Sequence, residues 1–266
     1  MSIANVLSIA GVDPSGGAGI AADLKTFAAL GAYGMAAVTA VTVQNTRGVR
    51  GFELLSPSFV ADQVDAVFDD VRVDAVKIGM VGSAAVAEAI AGVLGRHGAC
   101  HVVLDPVMVA KGGDTLLAAD AVAAIRDLLV PLAEVITPNL PEAAVLLGAT
   151  EPGDSAGMMA MARDLLALGS TSVLLKGGHL DGPDATDIYR DAGATETLTA
   201  PRIATKNTHG TGCTLSSAIA ALRPRYPRIE AIRRAKDYVT DAIRGAVRLE
   251  VGSGHGPLDH GFGMRS

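Results

Sequence analysis

The segment Asn207-Thr-His-Gly-Thr-Gly-Cys-Thr-Leu-Ser-Ser217 is polar and glycine-rich for seven residues, then apolar and small through residues 218–222. That switch predicts a loop becoming a helix near Thr211. A helix start offers unpaired backbone N–H groups and the positive end of its dipole, and Gly210 and Gly212 let a bulky anion approach the main chain closely. The chemistry such a turn can do is anion binding, phosphate above all. Cys213 falls in the first turn, where the same field favours the thiolate. The competing reading is a plain Gly-rich cap before a buried helix.

Other groups carry chemistry of the same kind. In Thr137-Pro-Asn-Leu-Pro-Glu142, Asn139 can cap a helix, with Pro141 as the first helical residue and Glu142 in the first turn, where the dipole favours a carboxylate. Alternatively, Asn139 and Glu142 hold water around a magnesium ion, which takes few carboxylate contacts plus waters and phosphate oxygens. Asp105, before Pro106 at a strand end, is a second hard ligand of this type, or else a turn-forming Asp. Lys176 closes an apolar strand just before Gly177-Gly178, where it either meets an anion or snorkels to solvent. Gln44 and Asn45 end another strand, and Asp23 is polar on a helix otherwise rich in Ala, Ile and Leu.

Some features promise less. Gly17-Ala-Gly-Ile-Ala-Ala22 fits a GxGxxA dinucleotide fingerprint, but the second strand ends in Gln44 and Asn45 rather than the acid a ribose needs. A nicotinamide oxidoreductase is therefore the weaker reading, and no Gly-Lys pair is present for a P-loop. The loop Ala110-Lys-Gly-Gly-Asp-Thr115 has the composition of a flap or a surface turn. His255 and His260 sit in a glycine-rich tail expected to be loose, and Cys100 reads as a small buried hydrophobe.

To bring these groups together, the chain must place its strand ends on one edge. Strands are predicted over residues 3–10, 35–43, 52–55, 75–80, 101–108, 134–137 and 171–176, with weaker signals at 187–190 and 195–200. Helices are predicted between them, over 20–30, 57–70, 84–97, 117–129, 141–147 and 156–168, with two more after the 207–213 loop. Strand alternating with helix specifies a mainly parallel sheet covered on both faces, whose ligands gather at the carboxyl ends of the strands. No linker divides the 266 residues, so one domain spanning 1–266 is expected. The net charge of −6 and the absence of Trp give no footing for nucleic acid. Apolar runs broken well short of a span argue against a membrane, and no basic leader precedes residue 3. Two distant cysteines fit a reducing cytoplasm.

The motifs Ser8-Ile-Ala-Gly-Val-Asp-Pro-Ser-Gly-Gly-Ala-Gly-Ile20, Ala22-Asp-Leu-Lys-Thr-Phe27, Thr42-Val-Gln-Asn-Thr46, Lys77-Ile-Gly-Met80, Asp105-Pro-Val-Met-Val109, Thr137-Pro-Asn-Leu-Pro-Glu142, Lys176-Gly-Gly-His179 and Thr208-His-Gly-Thr-Gly-Cys-Thr214 together closely resemble the hydroxymethylpyrimidine/phosphomethylpyrimidine kinases. These are thiamine-biosynthesis members of the ribokinase-like superfamily. The resemblance implies a three-layer α/β/α sandwich with a central mainly parallel sheet, and a reaction in which MgATP phosphorylates 4-amino-5-hydroxymethyl-2-methylpyrimidine and then its monophosphate. It implies that Gln44 bonds the aminopyrimidine edge, with Asp23 nearby and Gly11, Met80 and Val107 walling the ring. Lys176 would neutralise the transferring phosphoryl group, with Gly178, Asn139, Thr211 and Gly212 also at the nucleotide. Asp105, Asn139 and Glu142 would organise the metal and its waters, and Gly210-Thr-Gly-Cys213 would form the anion hole. Sugar kinases of this fold carry an Asp base where this chain has Cys213, which weakens assignment of the base. The resemblance also suggests a homodimer. A pyridoxal kinase of the same fold, and a vitamin-binding protein without catalysis, are the remaining alternatives.

Overall fold

The computed structural model describes residues 2–108, 118–178, 180 and 182–264. The candidate flap at 110–115 and His179 lie outside these. Among the described residues nine strands form one sheet in the order β3-β2-β1-β4-β5-β6-β7-β8-β9. They are β1 (Asn5–Val12), β2 (Tyr33–Asn45), β3 (Gly48–Leu54), β4 (Ala75–Ile78), β5 (Val102–Leu104), β6 (Val135–Ile136), β7 (Ser172–Lys176), β8 (Asp184–Asp191) and β9 (Thr195–Pro201). The central pairs are parallel, and β3, β8 and β9 join antiparallel towards the two edges. Because β1 lies between β2 and β4, the chain reverses its direction of travel there, opening a crevice at the carboxyl ends of the strands.

Helices cover both faces. Helices α2 (Pro57–Asp70), α3 (Ala84–His97), α4 (Ala119–Ala124, continuing as a π-helical turn over Ile125–Leu129), α5 (Leu140–Leu147) and α6 (Ser155–Leu166) bury Val64, Ile90, Ile125, Leu146 and Leu165 in one core. Helices α1 (Gly19–Ala29), α7 (Thr211–Leu222) and α8 (Arg228–Gly245) bury Phe27, Ile219 and Ile232 in the other. All nine residues from Thr214 to Leu222 are buried, which explains why α7 is small and apolar all round. Among the described residues no helix is long and apolar enough to cross a membrane.

Strands β5 and β6 are shorter than their apolar runs predict. After Leu104 the chain reaches Asp105-Pro106, and a proline has no N–H to continue the ladder. The tail differs more. Rather than lying loose, it hydrogen-bonds through His255 N to Thr46 O (2.8 Å) and bridges Pro257 to His209. His260 is buried against Thr214 Oγ1 at 3.0 Å. Its glycines are there for close approach: a Cβ on Gly254 or Gly256 would collide with Thr46 or Asn207. Cys100 is exposed, not buried.

Candidate active site

Two cavities open at the crevice. The first, of about 390 Å³, is walled by Gly11, Gln44, Met80 and Val107. A bulge between Val43 and Gln44 in the β2–β3 pairing aims the Gln44 amide. The second, of about 740 Å³, receives Asp105, Asn139, Glu142, Lys176 and Gly178, together with the turn Gly210–Cys213. They meet at Ala18, Val107, His209 and Cys213, which line both.

The turn is built as the sequence demands. Gly210 is the N-cap of α7 at φ 80°, and a Cβ there would drive into the carbonyl oxygen of Gly17. Thr211 Oγ1 donates to Thr208 O at 2.8 Å, closing the loop onto itself. A Cβ on Gly212 would lie 3.0 Å from Lys176 Nζ, so the lysine stands directly against the helix start. Lys176 Nζ is 3.1 Å from Asp105 Oδ1 and 4.0 Å from Glu142 Oε2. Burial opposes its charge, but Asp105 and Glu142 more than compensate and raise its pKa.

Asn139 and Glu142 form the capping box of α5: Glu142 N donates to Asn139 Oδ1, and Asn139 N donates to Glu142 Oε2, each at 2.8 Å. The cap is therefore real, and it brings Glu142 into the second cavity. Burial, with Asp105 adding to it and Lys176 opposing, pushes the Glu142 carboxyl up to about 7. Among the described residues no three His, Cys, Asp or Glu side chains gather as a direct-ligand cage. Two acids, one of them short of countercharge, instead fit a hydrated divalent ion completed by water and phosphate oxygens.

Two expectations are corrected. Asp23 does not line either cavity. It is fully buried, accepting Ser8 Oγ and Ser217 Oγ at 2.6 Å each and pairing with Lys77 Nζ at 2.9 and 3.0 Å. Lys77, which does line the first cavity, stands in its place. Burial works against the ammonium, yet Asp23, Cys213 and Asp105 raise its pKa. Nor is Cys213 a favoured thiolate. Burial pushes the thiol up to about 11, Asp105 and Asp23 add to this, and Lys77 with a bond from the Gly19 N–H only partly offset it.

Sequence reasoning passed over Lys77, Asp13 and His209. A lysine inside the apolar run Ala75-Val-Lys-Ile78 is the same signal that singled out Lys176. His209 Nε2 lies 2.8 Å from Asp13 Oδ2 and 3.3 Å from the Gln44 amide. Nothing local reveals a contact across 196 residues. The Gly17–Ala22 segment makes no dinucleotide fingerprint: Gly17 N and Ala18 N donate to Asp13, and Gly19 opens α1.

Comparison with known proteins decides the lineage. The sequence profile described as phosphomethylpyrimidine kinase matches residues 13–259. The chain belongs to the phosphomethylpyrimidine kinase family. It is 52% identical over 257 residues to the hydroxymethylpyrimidine/phosphomethylpyrimidine kinase of Escherichia coli K12, covering 96% of this chain and 97% of that one. A crystal structure of phosphomethylpyrimidine kinase from Clostridium difficile 630 superposes with a TM-score of 0.81 at 42% identity, over 90% of this chain and 99% of that one. The ADP complex of Bacillus subtilis pyridoxal kinase gives 0.92 at 36% identity over all of both chains.

Proposed function

We propose that the chain, as a single kinase domain, moves the γ-phosphoryl of ATP to the hydroxymethyl group of 4-amino-5-hydroxymethyl-2-methylpyrimidine, and then phosphorylates the monophosphate to the diphosphate. The observation that carries this reading is the meeting of the two cavities at Cys213, with Lys176 against the start of α7. The N–H groups of Gly210, Thr211, Gly212 and Cys213 hold the travelling phosphoryl group, and Lys176 spreads its charge. Gln44 bonds the ring edge, while Gly11, Met80 and Val107 wall the ring. Asp23 acts from behind, fixing Lys77. Asp105 and Glu142, with Asn139 holding Glu142 in place, would hold a magnesium ion through its waters, and the ion would supply charge neutralisation at the phosphates. With its thiol at about 11, Cys213 is protonated at neutral pH and takes the acceptor's proton poorly. Phosphoryl transfer rests mainly on positioning and charge stabilisation, so a poor base suffices.

The homodimer suggested by resemblance has a face to use, since Val41, Val43, Phe52, Leu54 and Phe59 expose apolar surface around the β2–β3 ribbon. Two free cysteines, Cys100 and Cys213, suit the cytoplasm. The test is to incubate the protein with MgATP and the hydroxymethylpyrimidine, with pyridoxal in parallel, and follow products by mass spectrometry. Sequential mono- and diphosphate from the pyrimidine are expected. Phosphorylation of pyridoxal alone, or no ATP consumption, refutes the reading.

A further inference from the structure

Beside Gln44, on the wall of the acceptor cavity, Asp13 and His209 form a pair with no part in the transfer described above. Asp13 is nearly buried. Its Oδ1 accepts Ser15 N at 2.8 Å and Ser15 Oγ at 2.7 Å; its Oδ2 accepts Gly17 N at 3.2 Å, Ala18 N at 3.0 Å and His209 Nε2 at 2.8 Å. Burial works against the charge, but the bonds from His209 and Ser15 hold the carboxyl down at about 2. An ionised carboxylate only accepts, so His209 Nε2 carries a hydrogen in either charge state of the ring.

That hydrogen constrains Gln44. The amide end 3.3 Å from His209 Nε2 is attracted only if it is the oxygen, because an amide nitrogen would set donor against donor. The two ends of an amide share one outline, and proton counting assigns them. The structure draws Gln44 Nε2 towards His209 and Oε1 towards Thr42 Oγ1, 3.1 Å away; the proton count turns the amide over, so that the nitrogen faces Thr42. Thr42 agrees with this, since its one hydrogen goes to Val12 O at 2.9 Å and leaves lone pairs for an amide donor. The edge of the amide facing the cavity retains one oxygen lone pair on the His209 side and one N–H on the Thr42 side.

We propose that Asp13 and His209 lock the Gln44 amide in this one orientation, and that the lock selects an acceptor ring carrying an amine beside a ring-nitrogen lone pair over a ring in which that donor–acceptor pair is reversed. The inference rests on the proposed placement of the pyrimidine against Gln44. Asp13 and His209 are positioning residues: they act through the amide, without touching the reacting atoms.

The discriminating pair is 4-amino-5-hydroxymethyl-2-methylpyrimidine and its 4-oxo analogue, which offers a carbonyl where the first has an amine and an N–H where it has a lone pair. A free amide serves either ring by turning over, whereas a locked one serves only the first. The readout is the ratio of kcat/KM for the two rings within each variant, so damage to the nearby phosphate turn cancels. Wild type should prefer the amino ring by about a hundredfold or more. In His209→Leu the preference should fall below about tenfold, and His209→Gln, which keeps an N–H donor for Asp13, should retain most of it. Asp13 keeps its four other donors in His209→Leu; should that variant still fail to fold, Asp13→Asn is predicted to relax the ratio in the same sense. A folded His209→Leu or Asp13→Asn enzyme with the wild-type ratio overturns the lock, as does a wild type that uses both rings equally. A wild type inactive on the amino ring overturns the proposed function, and the lock with it.

Discussion

Gly212→Ala separates what the fold needs from what the reaction needs. Gly212 is the second residue of α7 and has no left-handed φ. A Cβ there would lie 3.0 Å from Lys176 Nζ and 3.5 and 3.8 Å from the Asp105 carboxylate oxygens. The nearest atom is the tip of a flexible lysine, which can give way. Alanine is the better helix former by about 1 kcal/mol in a helix interior, less in a first turn. The melting temperature should therefore hold or rise slightly. The methyl group, however, occupies the gap between the helix start and Lys176 where the phosphoryl group is held. Alanine keeps its N–H, but the methyl group pushes the phosphoryl group away from it; losing one such contact typically costs about 10²–10³ in kcat, roughly 2.7–4 kcal/mol, and a fall of that size is expected here, with KM for the pyrimidine changed less than about threefold. Coupled ADP release gives the kinetics and a thermal melt gives the fold. Gly210→Ala is the contrast: at φ 80°, with Gly17 O in the way, it should destabilise the protein outright. A folded Gly212→Ala enzyme with kcat within about threefold of wild type would refute the reasoning.

Further expectations follow from the charges. Glu142 has its folded pKa raised to about 7, so in the ligand-free protein its protonation contributes stability below the ordinary carboxyl pKa and loses it as pH rises through about 7. Magnesium nucleotide should expel that proton, roughly half an equivalent at pH 7. Calorimetry in buffers of different ionisation enthalpy reads this release, which Glu142→Gln should abolish; buffer-independent heats for wild type would contradict it. Asp23→Asn removes a charge that holds the Cys213 thiol up and frees Lys77 to hold it down, so alkylation of Cys213 in a Cys100→Ser background should quicken at pH 8. Stability should fall by about 3–5 kcal/mol, because Lys77 is left unpaired, and an unchanged alkylation profile would remove Asp23 from the electrostatics of the site. Cys213→Ala should impair turnover, and unimpaired steady-state kinetics would remove the thiol from catalysis.

The fold was largely readable because several helices announce their own ends. Helix α3 begins after Ser83, whose side chain caps it, and stops at Gly98 in the left-handed conformation; α5 shows its capping box in Asn139 and Glu142. The site was readable as far as strand ends converge, which placed Gln44, Lys176, Asp105 and the 210–213 turn at one edge. What depends on distant partners was not. A helix start alone argues for a Cys213 thiolate, but burial and two carboxylates brought in by other elements reverse the sign. Asp23 reads as a candidate ligand until Lys77, 54 residues away, claims it. The tail looks loose by composition, whereas its glycines permit close packing on Thr46 and Asn207.

The central claim is that the γ-phosphoryl group sits on the start of α7 beside Lys176, facing the cavity that holds the pyrimidine. A crystal structure with magnesium and a non-hydrolysable ATP analogue tests it most directly. The account predicts the terminal phosphate within hydrogen-bond reach of the Gly210–Cys213 amides and Lys176 Nζ, at the junction lined by Cys213. A terminal phosphate bound instead at the Asp13–Gly19 loop, away from Lys176, would contradict it.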